Sequence, residues 1–318
     1  MAFLLVASGL VLLVLAGDFL VKGAVGLSLK LGVPTLVVSV TIVGFGTSAP
    51  EMLIAIQSAL DGAPGIALGN VVGSNTANVL LVLGFPALLY TLDTSTSDTR
   101  RIYLMMMGVS VIFIALGFMG PLHIWHGAVL LGLLGVMLWD NLHSAMCSRA
   151  EAKAESTADL AALEGIRPDM PLWRMGLYLV LGMIGLPLGA QLMIDGSLMI
   201  AERFNLGEEV IGLTLVAIGT SLPELATTTV AALRREADVA LGNVIGSNMF
   251  NLLAIMGVTS FFGPLPVTQE FLHLDFWIML GASALLGVFV FTKLKMGRLW
   301  GVAFLGLYGV YMVYLLGR

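Results

Sequence analysis

Residues 41–84 read TIVGFGTSAPEMLIAIQSALDGAPGIALGNVVGSNTANVLLVLG, and residues 214–257 read TLVAIGTSLPELATTTVAALRREADVALGNVIGSNMFNLLAIMG. The two align at a constant offset of 173 without a gap, and 20 of the 44 positions are identical. Shared apolar composition does not give that many identities, so the stretch is an internal duplication.

The rest of the chain says what solvent the duplicated segments meet. Its 318 residues are 58% hydrophobic and 11% charged, with a mean hydropathy of +0.99. Soluble domains run nearer ~25% charged and ~45–50% apolar. That composition excludes a soluble globular enzyme and a disordered chain. Fifteen Lys and Arg against twenty Asp and Glu leave no basic excess for nucleic acid. A single cysteine, Cys147, excludes a disulfide framework and a multi-Cys metal site.

A helix needs ~20 apolar residues to cross a hydrocarbon core of ~30 Å. Stretches of that kind fall at 3–30, 35–60, 66–91, 101–119, 122–146, 172–203, 209–233, 239–262, 274–292 and 297–317, which makes ten expected spans. The first and sixth are longer than needed and read as tilted. No Lys or Arg precedes Lys22, so no basic leader segment is expected. Ten spans place both termini on one side. Lys30, Arg100, Arg101, Arg149, Lys153, Arg167, Arg174, Arg234, Arg235, Lys293, Lys295 and Arg298 then lie on the other side, with Arg203 and Arg318 left on the terminal side. Positive residues stay cytoplasmic, so both termini are expected outside in the cell membrane. The polar stretch 147–171 reads as a cytoplasmic linker. It divides the chain into a first repeat, 1–146, and a second, 172–318.

Each half contains five spans, an odd number, so the second half enters the membrane from the opposite side. The expected fold is an all-α polytopic membrane protein of ten helices in two inverted five-helix repeats. Such architectures carry a substrate site near the midplane, where the repeats meet.

The polar residues inside the repeats point to that site. GTSxPE and GNVxGSNxxN interrupt otherwise apolar helices. Pro50 and Pro223 each remove a backbone donor, and Gly46 and Gly219 loosen the same turn, so each helix should break there and free carbonyls toward the protein interior. Thr47, Ser48, Thr220 and Ser221 add oxygens beside the breaks. Glu51 and Glu224 lie well inside their spans, where a lone carboxylate costs ~2.5–3.5 kcal/mol. Inversion should bring the two together near the pseudo-two-fold axis. Like charges that close repel unless a cation or proton lies between them. Ser74 with Asn78, and Ser247 with Asn251, are at i and i+4 on one face of the partner span, and Asn70 and Asn243 extend that face. The ligand set is all oxygen, which suits Ca²⁺ or Na⁺ rather than softer metals.

Other features read more simply. Gly69-x-x-x-Gly73 and Gly242-x-x-x-Gly246 suit close helix packing. Asp18 and Lys22 read as a local i, i+4 ion pair. At the repeat offset they align with Gln191 and Asp195, and Asp195, with no obvious local partner, is a candidate for an ion path along with Ser48 and Ser221. His123, His126, His143 and His273 form no ligand spacing.

GTSAPE with GNVVGSNTAN, and GTSLPE with GNVIGSNMFN, resemble the two α-repeats of the Ca²⁺/cation antiporter superfamily, and most of all the prokaryotic sodium/calcium exchangers. The resemblance spans the whole ten-span layout. It implies that spans 2, 3, 7 and 8 form the ion-binding core and that spans 1 and 6 form a long gating pair. It implies Ca²⁺ between Glu51 and Glu224, helped by backbone oxygens of Thr47 and Thr220. It implies counter-ion sites at Ser74, Asn78, Ser247 and Asn251, shared with Glu51 and Glu224, with carbonyls of Gly44 and Ala217. The cargo is then Ca²⁺ and Na⁺, the partners are inorganic cations and the lipid bilayer, and neither cofactor, enzyme activity nor protein partner is implied. A monomer suffices. Several such relatives carry Asp where Asn251 stands, so this site holds two carboxylates rather than three.

Alternatives from the residues alone are a Ca²⁺/H⁺ or K⁺-dependent antiporter, in which the paired acids take other counter-ions, and a cation channel, which more often builds its pore from symmetric subunits. An intramembrane hydrolase would want a nucleophile–base set that the His positions do not supply. Asn251→Asp is expected to alter the Na⁺ dependence of transport. An unchanged dependence in flux assays would remove Asn251 from the counter-ion site.

Overall fold

The computed structural model describes residues 2–31, 35–62, 64–94, 99–152, 170–203 and 217–316. Its helices are α1 (Ala2–Leu31), α2 (Thr35–Thr47), α3 (Ala49–Leu60), α4 (Pro64–Leu89), α5 (Arg100–Phe118), α6 (Ile124–Ala152), α7 (Leu172–Arg203), α8 (Ala217–Thr220), α9 (Leu222–Leu233), α10 (Ala237–Thr259), α11 (Phe271–Thr292) and α12 (Arg298–Leu316). Among the described residues, eight helices are long and apolar enough to cross a bilayer, and α2 with α3 makes a further span bent by 44°. The chain is a multi-pass membrane protein. The expected span 209–233 falls partly outside the described residues; its described part is α8 and α9. Helix α6 runs past the expected span end at 146 to Ala152, and residues 153–169 of the expected linker lie outside the described residues.

Inversion is visible in the two longest helices. α1 and α7 hold equivalent places in the repeat, yet they pack antiparallel along their length. Small residues make this possible. A side chain at Gly23 would meet Leu179, and one at Gly182, Gly185, Gly189 or Gly196 would meet Leu20, Ala16, Leu13 or Ala2 in turn. With little hydrophobic drive between helices in lipid, this close approach is what holds such a pair.

Two short backbone bridges pin the periphery. Leu92 pairs with Met296 through bonds of 3.0 and 2.9 Å, and Leu122 pairs with Leu265 through two of 2.9 Å. Shifting Leu92 by the repeat offset gives Leu265, and shifting His123, next to Leu122, gives Met296. The bridges are therefore symmetry mates. Beside the first, Asp93 lies 2.6 Å from Lys295 and holds its ammonium above the usual lysine range by hydrogen bonding and charge; so exposed a pair adds little stability.

α10 is buried along its length and crosses α2 at backbone contact. A methyl at Gly246 would strike the Val40 carbonyl, one at Gly242 would come within 2.6 Å of Ser39 Cβ, and one at Gly44 within 3.0 Å of Gly246 and Ser247 backbone atoms. Gly242 and Gly246 thus let the two helices pack at backbone contact. The equivalent partners of Gly69 and Gly73, residues 212 and 213, lie outside the described residues.

Asp18 pairs with Lys22 at 2.7 Å, as expected, and also with Arg234 beyond the end of α9, whose Nε donates at 2.7 Å. This second pair ties α1 to α9. The repeat equivalents are bonded within their own helices instead: Gln57 Nε2 donates to Asp61 at 2.9 Å, and Gln191 Nε2 donates to Asp195 at 2.8 Å.

Gly246→Ala is expected to cost about 1–3 kcal/mol or more, because the methyl meets backbone that cannot rotate away. Gly281→Ala, where nothing lies within 4 Å, is expected to be neutral. Thermal melting in detergent compares the two.

Candidate cation-binding site

The site is built on two breaks. Ser48 leaves helical geometry with ψ near 4° and Ser221 with ψ near 2°, each just before a helix whose second residue is proline. Pro50 and Pro223 sit in the first turn, where the missing N–H costs least. The ladder is carried over the first break by Ser48 N–H to Gly44 O and Met52 N–H to Ser48 O, both 3.2 Å. Pro50 has no N–H to give Gly46. The outcome is a bend rather than an open gap in the helix. It places Glu51 in the first turn of α3 and Glu224 in the first turn of α9. The positive ends of both helices thus favour carboxylates, which offsets part of the burial cost.

Glu51 is 1% exposed and Glu224 fully buried, and they are near enough to act on one another electrostatically. Ser48 Oγ, from the first break, donates to Glu224 Oε1 at 3.4 Å, so the two breaks face each other. Asn70 and Asn243 staple them. Asn70 Nδ2 donates to the Glu51 carbonyl at 3.4 Å and its Oδ1 accepts from Thr220 Oγ1 at 3.5 Å. Asn243 Nδ2 donates to the Glu224 carbonyl at 3.3 Å and its Oδ1 accepts from Thr47 Oγ1 at 3.1 Å. Ser247 Oγ lies 3.1 Å from Thr47 Oγ1 and donates to the Gly44 carbonyl at 3.4 Å.

A second layer sits on the axis itself. Asn75 and Asn248 are repeat equivalents, and each side chain donates to the other's backbone carbonyl, at 3.2 and 3.4 Å. Asn78 Nδ2 donates to Asn248 Oδ1 at 3.0 Å, and Asn251 Nδ2 donates to Asn75 Oδ1 at 2.9 Å. π-helical turns begin at Asn78 and at Asn251, a distortion frequent at functional positions.

What remains is a set of buried acceptors without a protein partner: both Glu51 oxygens, Glu224 Oε2, Asn78 Oδ1, Asn251 Oδ1 and the Ser221 hydroxyl. Buried polar atoms are almost always bonded. Orphans that are all oxygen, and that carry two carboxylates, fit a hard cation. Among the described residues no group of three or more His, Cys, Asp or Glu is gathered elsewhere as a rival metal site.

The family model described as sodium/calcium exchanger protein matches residues 1–141 and 175–317. The chain belongs to this family. The sodium/calcium exchanger MaX1 of Methanosarcina acetivorans is 33% identical over 347 residues, covering 98% of each chain. The inner membrane protein YrbG of Escherichia coli strain K12 is 31% identical over 293 residues, covering 92% of this chain and 90% of its own. The solved structure of the sodium-calcium exchanger NCX_Mj, soaked with Na⁺ and Sr²⁺, matches with a TM-score of 0.82 at 30% identity, covering 98% of this chain and 97% of that one. The present fold is therefore the sodium/calcium exchanger fold.

Of the residues singled out in the sequence, Thr47, Ser48, Glu51, Thr220, Ser221, Glu224, Ser74, Asn78, Ser247 and Asn251 are all buried, and Gly44 lies beside Ser247. Ala217 opens the described part of span 7. Asp195 stays outside the cluster. It is exposed on α7, and Gln191 is the local partner that the sequence did not reveal. Asn75 and Asn248 were overlooked, although GSN stands in both repeats. Their signal was the repetition itself, at a position one residue off the Ser–Asn helix face.

Ca²⁺ added to the purified protein is expected to raise its melting temperature. A ligand at a hundred times its Kd adds about 2.7 kcal/mol of stability. Glu51→Gln and Glu224→Gln should each lose most of that increment while folding normally, since the neutral amide keeps the shape and removes the charge.

Proposed function

We propose that the chain is a secondary transporter that exchanges Ca²⁺ for Na⁺ across the cell membrane by alternating access. One observation carries the reading: two buried carboxylates, one from each half of the duplication, lie among buried oxygens without a protein partner in a protein of the exchanger family. Relatives named as sodium/calcium exchangers agree with it.

In this reading Ca²⁺ lies between Glu51 and Glu224, with carbonyls of Thr47 and Thr220 as further ligands. Na⁺ occupies adjoining positions drawn from the same two carboxylates, Ser74, Asn78, Ser247 and Asn251, and the carbonyls of Gly44 and Ala217. Ser48 and Ser221, hydroxyls at the breaks, line the approach. Ca²⁺ and Na⁺ compete because they draw on the same carboxylates. An empty site with two negative charges is costly in lipid, so the molecule changes sides only when loaded, which makes exchange obligatory. Each net charge moved per cycle is worth ~2.3 kcal/mol per 100 mV.

Helices α1 and α7 form the moving pair that opens the site to one side at a time. The chain divides at 147–171, in keeping with the gap in the family match between 141 and 175. Both termini face out and 147–171 faces the cytoplasm, on the strength of the Lys and Arg distribution. No resident cofactor or protein partner is needed.

Radioactive Ca²⁺ uptake into proteoliposomes, with Na⁺, K⁺ and pH gradients imposed separately, tests the reading. Uptake driven by an outward Na⁺ gradient at clamped pH and without K⁺ is expected, and Glu51→Gln should abolish it. Uptake that follows only the pH gradient would make the chain a Ca²⁺/H⁺ antiporter instead.

A further inference from the structure

We infer that Asn75 and Asn248 are positioning residues that decide which end of the Asn78 and Asn251 amides faces the transported ion. The inference rests on the functional reading above and goes beyond it by assigning two residues outside the ligand set.

An amide side chain can turn either its oxygen or its nitrogen toward a neighbour. A backbone carbonyl has no such freedom, since it only accepts. The Asn248 carbonyl accepts from Asn75 Nδ2 at 3.2 Å. Asn75 Oδ1 must then point the other way, where it accepts from Asn251 Nδ2 at 2.9 Å. That bond occupies the Asn251 nitrogen and leaves its Oδ1 buried without a protein partner. The mirrored chain of bonds runs from the Asn75 carbonyl to Asn248 Nδ2 at 3.4 Å, then from Asn248 Oδ1 to Asn78 Nδ2 at 3.0 Å, and ends on the orphaned Asn78 Oδ1. Met106 Sδ, 3.9 Å from Asn248 Nδ2, is a further weak acceptor on the same nitrogen.

All four asparagines are at most 1% exposed, so a lost bond is not simply replaced by bulk water. Reversing any one amide would set oxygen against oxygen or nitrogen against nitrogen at the next link. The two backbone carbonyls therefore fix the polarity of the whole network. They deliver two neutral oxygens to the site, where a reversed amide would present N–H donors to a cation. The oxygens add ligands without adding charge, which suits Na⁺ at positions where a third carboxylate is lacking. Each half orients the ligand of the other, so neither half alone presents a competent site.

The test measures the Na⁺ and Ca²⁺ concentrations for half-maximal exchange in proteoliposomes. Losing an outer-shell partner typically costs 10-fold or more in ion affinity. Asn75→Ala and Asn248→Ala are each expected to raise the half-saturating Na⁺ about tenfold, with a much smaller change for Ca²⁺. A pairwise cycle separates positioning from general loosening. Asn248→Ala should add nothing on an Asn78→Ala background and its full effect on an Asn251→Ala background, and Asn75→Ala should show the reverse.

Should an alanine variant fail to survive purification, leucine at the same position gives the same readout, because it nearly keeps the shape of asparagine and has neither donor nor acceptor to orient the next amide. Equal shifts for both ions, or additive effects in both backgrounds, would overturn the inference. Wild-type protein that exchanges normally alongside additive variants sinks this inference alone. Wild-type protein without Na⁺-driven Ca²⁺ movement sinks the functional reading on which it stands.

Discussion

Two carboxylates that lipid cannot solvate, Glu51 and Glu224, set the terms for the rest of the molecule. Each must be kept from the hydrocarbon and given compensating dipoles or charge. The proline breaks supply helix N-termini beneath them. Asn70 and Asn243 fasten the breaks by binding the carbonyl of the adjacent glutamate in one half and a threonine of the other. α10 fills the centre, and its glycines let α2 come close enough for Thr47 and Ser247 to meet. These features follow from burying two acids inside a membrane protein and leaving most of their oxygens without a protein partner.

Inversion turns a duplicated sequence into a different kind of contact. Equivalent residues in a parallel repeat would stand far apart in matching environments. Here they meet, as Asn75 meets Asn248, because the axis that relates the halves runs between them. The asparagine contacts across the axis are accordingly reciprocal. Other contacts do not repeat: Ser48 donates to Glu224 while Ser221, its equivalent, is left without a partner, and Asp18 binds Arg234 across two helices while Gln191 and Asp61, their equivalents, bond to Asp195 and Gln57 one turn away. Alternating access needs such departures from two-fold symmetry, since the two sides of the site cannot be open together.

Much of this was legible in the chain. The gapless offset exposed the repeat, and the odd span number forced its inversion. Glu51 and Glu224 stood out because an acid in an apolar window is costly enough to need a reason. Asn75 and Asn248 did not stand out, because their role depends on a partner 173 residues away and on amide orientation, which spacing does not encode. Arg234 read only as a cytoplasmic positive charge, yet it reaches Asp18 across 216 residues. Asp195 read as a lone acid because the donor one turn before it, Gln191, is uncharged.

By itself the sequence determined the solvent, the duplication, the opposed directions of the halves and which polar residues the helices would have to bury. These depend on composition, counting and local spacing, which a linear chain carries in full. Tertiary structure alone decided how far the first repeat's helix bends at its proline, which oxygens stay without partners, and which end of each asparagine amide is bonded to the other half. Those outcomes are set by bonds between halves, and their geometry exists only after the two repeats have closed on one another.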